Sequence, residues 1–213
     1  MILNQMKYGN PSQDVRDDLI TIEEYGFDIA ATPLLIAPHP KNDSAETKEE
    51  LAYLLELQSE ERPFMERLIA SADKDLLGIF LDMCAEWQLA PHEEEAKKVL
   101  KNWGLVATAM KAYFNRARPF QIAPYHKTPL FPMTSVSAWS SSYPSGHTIQ
   151  AEGLALFYGT KYPELDQEFE DVAKAISHTR LVGGFHFPSD ILAGEKLVKD
   201  LSSVFGVFYK KDC

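Results

Sequence analysis

Residues 180–190, RLVGGFHFPSD, set an arginine, a histidine and an aspartate in an order that can act on a phosphate. Arg180 offers a planar, always-charged fork that matches phosphate oxygens, and His186 offers an imidazole able to attack or to move a proton. Asp190 lies four residues after His186. In the first turn of a helix starting near Ser189, its carboxylate reaches back to one ring nitrogen and leaves the other free, as a base or nucleophile requires. Gly183 and Gly184 lie between the arginine and the histidine, where residues without a Cβ let the backbone turn sharply.

Two further stretches hold groups of the same kind. The run Tyr143-Pro144-Ser145-Gly146-His147-Thr148 leads into an apolar helical segment at 149–158. Ser145 and Gly146 therefore stand at a helix N-terminus, where free backbone N–H groups and the helix dipole favour an anion, with His147 directed at the same place. Lys111 and Arg118 are seven residues apart near the end of a long helical pattern. At about 100° per residue they fall within roughly 20° of the same face, about 10 Å apart along the axis. His39, His92, His126 and His178 fit no such pattern and read as structural or surface residues.

Composition sets limits on what these groups serve. With 213 residues and 45% hydrophobic content the chain can bury one sizeable core, read as a single domain over 1–213. A formal charge of −10 repels nucleic acid, so any anion site must be a local concentration of cations. No stretch approaches the roughly 18 apolar residues of a membrane span and the first residues lack a secretory core, which predicts a soluble, cytoplasmic protein, or a periplasmic one if a signal peptide has been removed. Cys84 and Cys213 do not form a disulfide framework.

The positioning elements are helical. Residues 1–45 carry turn-forming residues and no sustained period, and are expected to wrap the body irregularly with a short helix near 17–25. Helices are expected at 46–58, from Pro63 to Trp87 with an interruption at 71–75, from Pro91 until Pro119 closes it, and over 165–180. Between them, 120–142 is aperiodic, proline- and serine-rich and aromatic; a loop of that length in a compact domain usually serves function, and Phe131 and Trp139 are its expected specificity residues.

Taken together, Lys111, six residues, Arg118-Pro119; then Pro144-Ser145-Gly146-His147; then Arg180, five residues, His186, three residues, Asp190 resembles the signature of the type 2 phosphatidic acid phosphatase and vanadium haloperoxidase superfamily. The run HFPSDILAG is especially similar to its soluble bacterial (class A nonspecific) acid phosphatases. The family usually has Ser before the third-motif arginine; Thr179 keeps the hydroxyl here. The resemblance implies an all-α, single-domain helical bundle of the acid phosphatase/vanadium haloperoxidase type. It implies a metal-independent phosphomonoesterase in which Lys111, Arg118, Ser145, Gly146 and Arg180 bind the phosphoryl oxygens. His186 then forms a phosphohistidine, Asp190 supports it, and His147 is the general acid and base. No cofactor is implied, with vanadate expected as a phosphate mimic, and the partner is a small-molecule phosphate ester; a homo-oligomer is compatible with it. The alternatives are a vanadate-dependent haloperoxidase using the same pocket, whose known chains are much longer, and a non-catalytic phosphate-binding protein.

Overall fold

Asp75 ends one helix and begins the next: its backbone N–H closes the helix Arg62–Lys74, and its side chain caps Leu76–Glu86 by accepting from Gly78 N at 2.9 Å. The break falls inside the expected interruption. The structure, a computed structural model, describes residues 3–10, 13–24 and 35–205, with side chains left out at 14–15, 21–24 and 203–205. Its main helices are α1 Gln13–Glu24, α2 Ala45–Glu60, α3 Arg62–Lys74, α4 Leu76–Glu86, α5 Glu93–Phe114, α6 Pro119–Ile122, α7 Gly146–Lys161, α8 Asp166–Val182 and α9 Pro188–Phe205. The protein is all-α: among the described residues the only β pairing is an isolated bridge between Lys7 and Arg116.

Three helix boundaries differ from the sequence expectation. The N-terminal segment holds a longer helix, α1, that starts at Gln13 rather than near Asp17; Tyr25 lies outside the described residues. α5 starts at Glu93 rather than Pro91 because His92 takes a left-handed backbone conformation, φ 43°. It also ends before Pro119: Asn115, at φ 49°, turns its N–H back to the Lys111 carbonyl and closes the helix. Pro119 instead opens α6, where its missing N–H costs nothing. Arg118 is thus in an extended connection and not on the face of Lys111's helix.

α7 packs against α5, α8 and α9. Gly153 permits the approach to α5, since a Cβ there would lie 2.0 Å from the Trp103 ring. Around this contact Phe80, Tyr158 and Phe169 stack within a core that takes in Trp103, Ile176 and Leu197. Each fully buried ring of this kind contributes about 1.5–3 kcal/mol. A second cluster gathers Leu51 and Leu54 of α2 with Ile122, Phe185, Phe187 and Ile191. α9 serves both, giving Ile191 to one and Ala193, Leu197 and Leu201 to the other, so Asp190 stands where the two cores meet.

Candidate active site

The turn after α8 is built to present one side chain. Gly184 adopts φ 74°, a region that favours glycine, and a Cβ there would also meet the Gln58 amide at 2.4 Å. Phe185 and Phe187 are fully buried in the second core, and His186 between them lines a cavity on the other side. Its Nδ1 is 3.2 Å from Asp190 Oδ2. An ionised carboxylate can only accept, so Nδ1 carries the proton and Nε2 keeps its lone pair. The same Oδ2 accepts from Phe187 N at 2.9 Å, as an acid in the first turn of a helix does, and from the Ser142 hydroxyl. Burial and the neighbouring Arg118 hold His186 well below the usual histidine range, so the imidazole is neutral.

Two charged residues at this centre are absent from the sequence reading. Arg116 is fully buried; Nη1 donates to Asp190 Oδ1 at 2.6 Å and to Ser189 Oγ at 2.7 Å, while Nη2 donates to Glu50 Oε2 at 3.1 Å. Glu50 in turn accepts from Ser189 N at 2.6 Å, tying α2 to the start of α9. Burial alone would push the Asp190 carboxyl up, but Arg116, with His186 and Ser142, holds it well below the carboxylate range. One cue to Arg116 is a second arginine in Asn-Arg-Ala-Arg-Pro; Glu50 is one acid among several in a helical stretch and has none.

Lys111, Arg118, Gly146, His147, Arg180 and His186 line a single cavity of about 360 Å³. Ser145 and Asp190 stand behind its wall. Ser145 is fully buried as the cap of α7, its Oγ accepting from Thr148 N at 3.3 Å and Thr148 Oγ1 at 2.9 Å. Gly146 leaves room for lysine: a Cβ there would lie 3.3 Å from Lys111 Cε. Lys111 and Arg118 reach this point from different elements. Lys111 Nζ donates to the Ser141 carbonyl at 2.5 Å, and Arg118 donates to the carbonyls of Ser140 and Phe185 and to His186 Nε2 at 3.1 Å. No carboxylate among the described residues pairs with either cation. Desolvation and Arg180 push Arg118 down to about 10, and desolvation with Arg118 holds Lys111 well below the usual lysine range.

Arg180 does have an anion, and it is a third residue the sequence did not single out. Asp73, at the end of α3, accepts from Arg180 Nη2 at 2.7 Å and also from Ser135 Oγ, Ser137 Oγ and Val136 N. One carboxylate thus fixes both the guanidinium and the loop beside it. Arg180 Nε and Nη1 are buried with no hydrogen-bond partner among the described residues. His147 lines the cavity and makes no hydrogen bond to the described residues; desolvation and Arg180 hold it well below the usual histidine range.

The aromatic loop meets this cavity through Ser137 and Ser140. Phe131 and Trp139 are 70% and 75% exposed and do not line it; Trp139 borders neighbouring grooves. The remaining histidines hold structure: His178 meets Glu61 at 2.5 Å and His126 the Asn42 carbonyl at 2.7 Å. Among the described residues no helix is long and apolar enough to cross a membrane.

Residues 100–197, the segment that carries all of these cavity groups, match the family model of the PAP2 superfamily. It is similar to a lipid A 1-phosphatase of Rhizobium johnstonii, 32% identical over 91 residues, which are 43% of this chain and 37% of that one. It is also similar to a non-specific acid phosphatase of Salmonella typhi, 35% identical over 99 residues, 46% of this chain and 39% of that one. The match thus spans about two fifths of the length of these curated relatives. A distant likeness runs to the crystal structure of a transmembrane PAP2 type phosphatidylglycerolphosphate phosphatase from Bacillus subtilis, with TM-score 0.38, 18% identity, and coverage of 94% of this chain and 96% of that one.

Proposed function

We propose that the protein hydrolyses phosphate monoesters through a phosphohistidine on His186. The observation that carries the reading is the set of cations that line one cavity with His186: among the described residues Lys111 and Arg118 pair with no carboxylate, and Arg180 keeps two buried N–H groups without an acceptor. A buried donor without an acceptor is costly, and a phosphoryl group supplies several acceptors at once. The relatives named as phosphatases support the same class of reaction.

In the first step the Nε2 lone pair attacks phosphorus, the ester P–O bond breaks, and His147 gives its proton to the departing alkoxide. Asp190, kept ionised by Arg116, balances the positive charge that grows on the His186 ring. In the second step water attacks phosphorus, its proton passes to His147, the P–N bond breaks with its electron pair returning to Nε2, and phosphate leaves with His186 restored. The cations contribute by matching charge on the transferring group, an effect worth about 10³–10⁵ in rate for one well-placed arginine.

The test is hydrolysis of an aryl phosphate in the presence of a chelator, with trapping of an acid-labile, base-stable phosphoenzyme. Wild type forms it and His186→Ala does not; full phosphoenzyme in His186→Ala overturns the nucleophile assignment.

A further inference from the structure

The cavity that holds the phosphate-binding groups continues past them. On α5 its wall is the stripe Lys101, Gly104, Thr108 and Lys111, spaced so that each falls on one helix face. On α7 it is Gly146, His147 and Gln150. Gln150 is fixed by donating to the Leu100 carbonyl at 3.2 Å. α1 packs over α5, and its Asp18 also lines the cavity, accepting from the Thr108 hydroxyl at 3.4 Å. Thr108 precedes Lys111 by three residues, about 4.5 Å along the helix axis. A carboxylate therefore stands roughly one turn from the phosphate-binding lysine.

We propose that Asp18, with Thr108 and Gln150, forms a leaving-group subsite for phosphomonoesters whose alcohol carries hydrogen-bond donors, either hydroxyls or an ammonium. The proposal rests on the phosphomonoesterase reading and adds the class of alcohol to it. Cations at one end and a carboxylate one turn away make the cavity bipolar along its length. An ammonium or hydroxyl beyond the ester oxygen meets an acceptor there, a second anion meets a like charge, and a hydrocarbon chain covers Asp18 without giving it a partner. Lys101 does not reverse this order: it is exposed and ten residues from Lys111, about 15 Å along the axis. The groove that would suit a hydrocarbon, lined by Tyr8, Phe120, Met133, Trp139 and Phe185, contains none of the three phosphate-facing cations.

The experiment compares kcat/KM for phosphoethanolamine, glycerol phosphate, 3-phosphoglycerate and hexyl phosphate in wild type and Asp18→Asn. The asparagine keeps the shape and an acceptor for Thr108, so the change is one of charge. Wild type is expected to favour the first two esters. Asp18→Asn is expected to lower the phosphoethanolamine to 3-phosphoglycerate ratio on the order of tenfold, with turnover of 3-phosphoglycerate rising in absolute terms. An unchanged ratio, a proportional fall on all four esters, or hexyl phosphate as the best substrate of both proteins overturns the subsite while leaving the phosphatase reading in place. Release of phosphate from none of the esters, nor from an aryl phosphate, overturns that reading and the subsite with it.

Discussion

Arg116 Nη1 lies 2.6 Å from Asp190 Oδ1, with both side chains fully buried, while the other oxygen of the same carboxylate faces the His186 ring. The nucleophile's support is therefore itself supported, and the chain of contacts ends at Glu50 on α2. Breaking a buried pair by removing one partner costs about 3–5 kcal/mol, because an uncompensated charge is left inside. Arg116→Ala is expected to lose about that much in denaturant unfolding. Arg116→Lys keeps the charge but not the fork, and should recover part of the stability. Arg116 touches no reacting atom, so its activity loss should appear in kcat more than in KM and as a shifted pH profile. A loss proportional to the folded fraction, with an unaltered profile, would reduce Arg116 to a purely structural role.

Asp190→Asn is expected to be milder than His186→Ala in chemistry and harsher in stability. The amide can present its N–H to Nδ1 and so select the wrong tautomer, which in a comparable triad lowers kcat by about 10⁴. His186→Ala should leave no turnover while inorganic phosphate still binds, since the cations that hold it come from other residues. Calorimetric phosphate binding and single-turnover rates on both variants check this.

Asp73→Asn tests the far side of the pocket. Burial alone would push the Asp73 carboxyl up, but its bonds from Ser137, Ser135 and Arg180 hold it well below the carboxylate range. With the charge removed, Arg180 loses its anion and the 135–138 loop loses its anchor. Phosphate inhibition should weaken by roughly tenfold, with KM rising for every ester alike, and tryptic cleavage in the loop should speed up. Unaltered phosphate inhibition would mean that Arg180 needs no help from Asp73.

These three predictions rest on residues of unequal visibility. His186, Asp190, His147 and the cations could be grouped as one candidate site because the resemblance rests on short, fixed spacings within 111–190, and the structure brings them to one cavity or its wall. Helix periods were legible for the same local reason, as the break at Asp75 illustrates. Arg116, Glu50 and Asp73 were not, because what singles them out is burial next to an opposite charge, and Glu50 and Asp73 lie 66 and 107 residues from the arginines they meet. The ends of α5 escaped notice because left-handed residues at His92 and Asn115, neither of them glycine, override the proline signals nearby. Asp18 was hidden because nothing local marks a helix that covers a cavity built by other helices.

The pH dependence follows from His147. As general acid it must be protonated in the first step, and desolvation with Arg180 holds it well below the ordinary 6.5. The active fraction of free enzyme therefore falls as pH rises, and kcat/KM should be highest on the acid side with its descending limb below about 6.5. A bound phosphoryl group adds negative charge and raises this pKa, so the limb in kcat should sit at higher pH than that in kcat/KM. A descending limb that survives unmoved in His147→Ala would assign it to another group.

The same groups make stability depend on both pH and anions. His147 and His186 are depressed in the folded state, so between their lowered values and about 6.5 the unfolded chain binds more protons, and folding stability falls as pH drops through that window. Above it both states are neutral and the penalty is absent. Phosphate or vanadate opposes the loss by pairing with Lys111, Arg118 and Arg180. At about a hundred times its dissociation constant an anion adds roughly 2.7 kcal/mol, which for a domain of this size is a melting shift of about 5–10 °C. Chloride at matched ionic strength is expected to do much less, and the shift from phosphate should be larger at pH 5.5 than at pH 8 because phosphate then also favours protonated histidine. Arg118→Ala should remove most of it without touching the Asp73 pair. Equal shifts from vanadate and chloride, or a full shift in Arg118→Ala, would mean that the three cations do not act as one anion pocket.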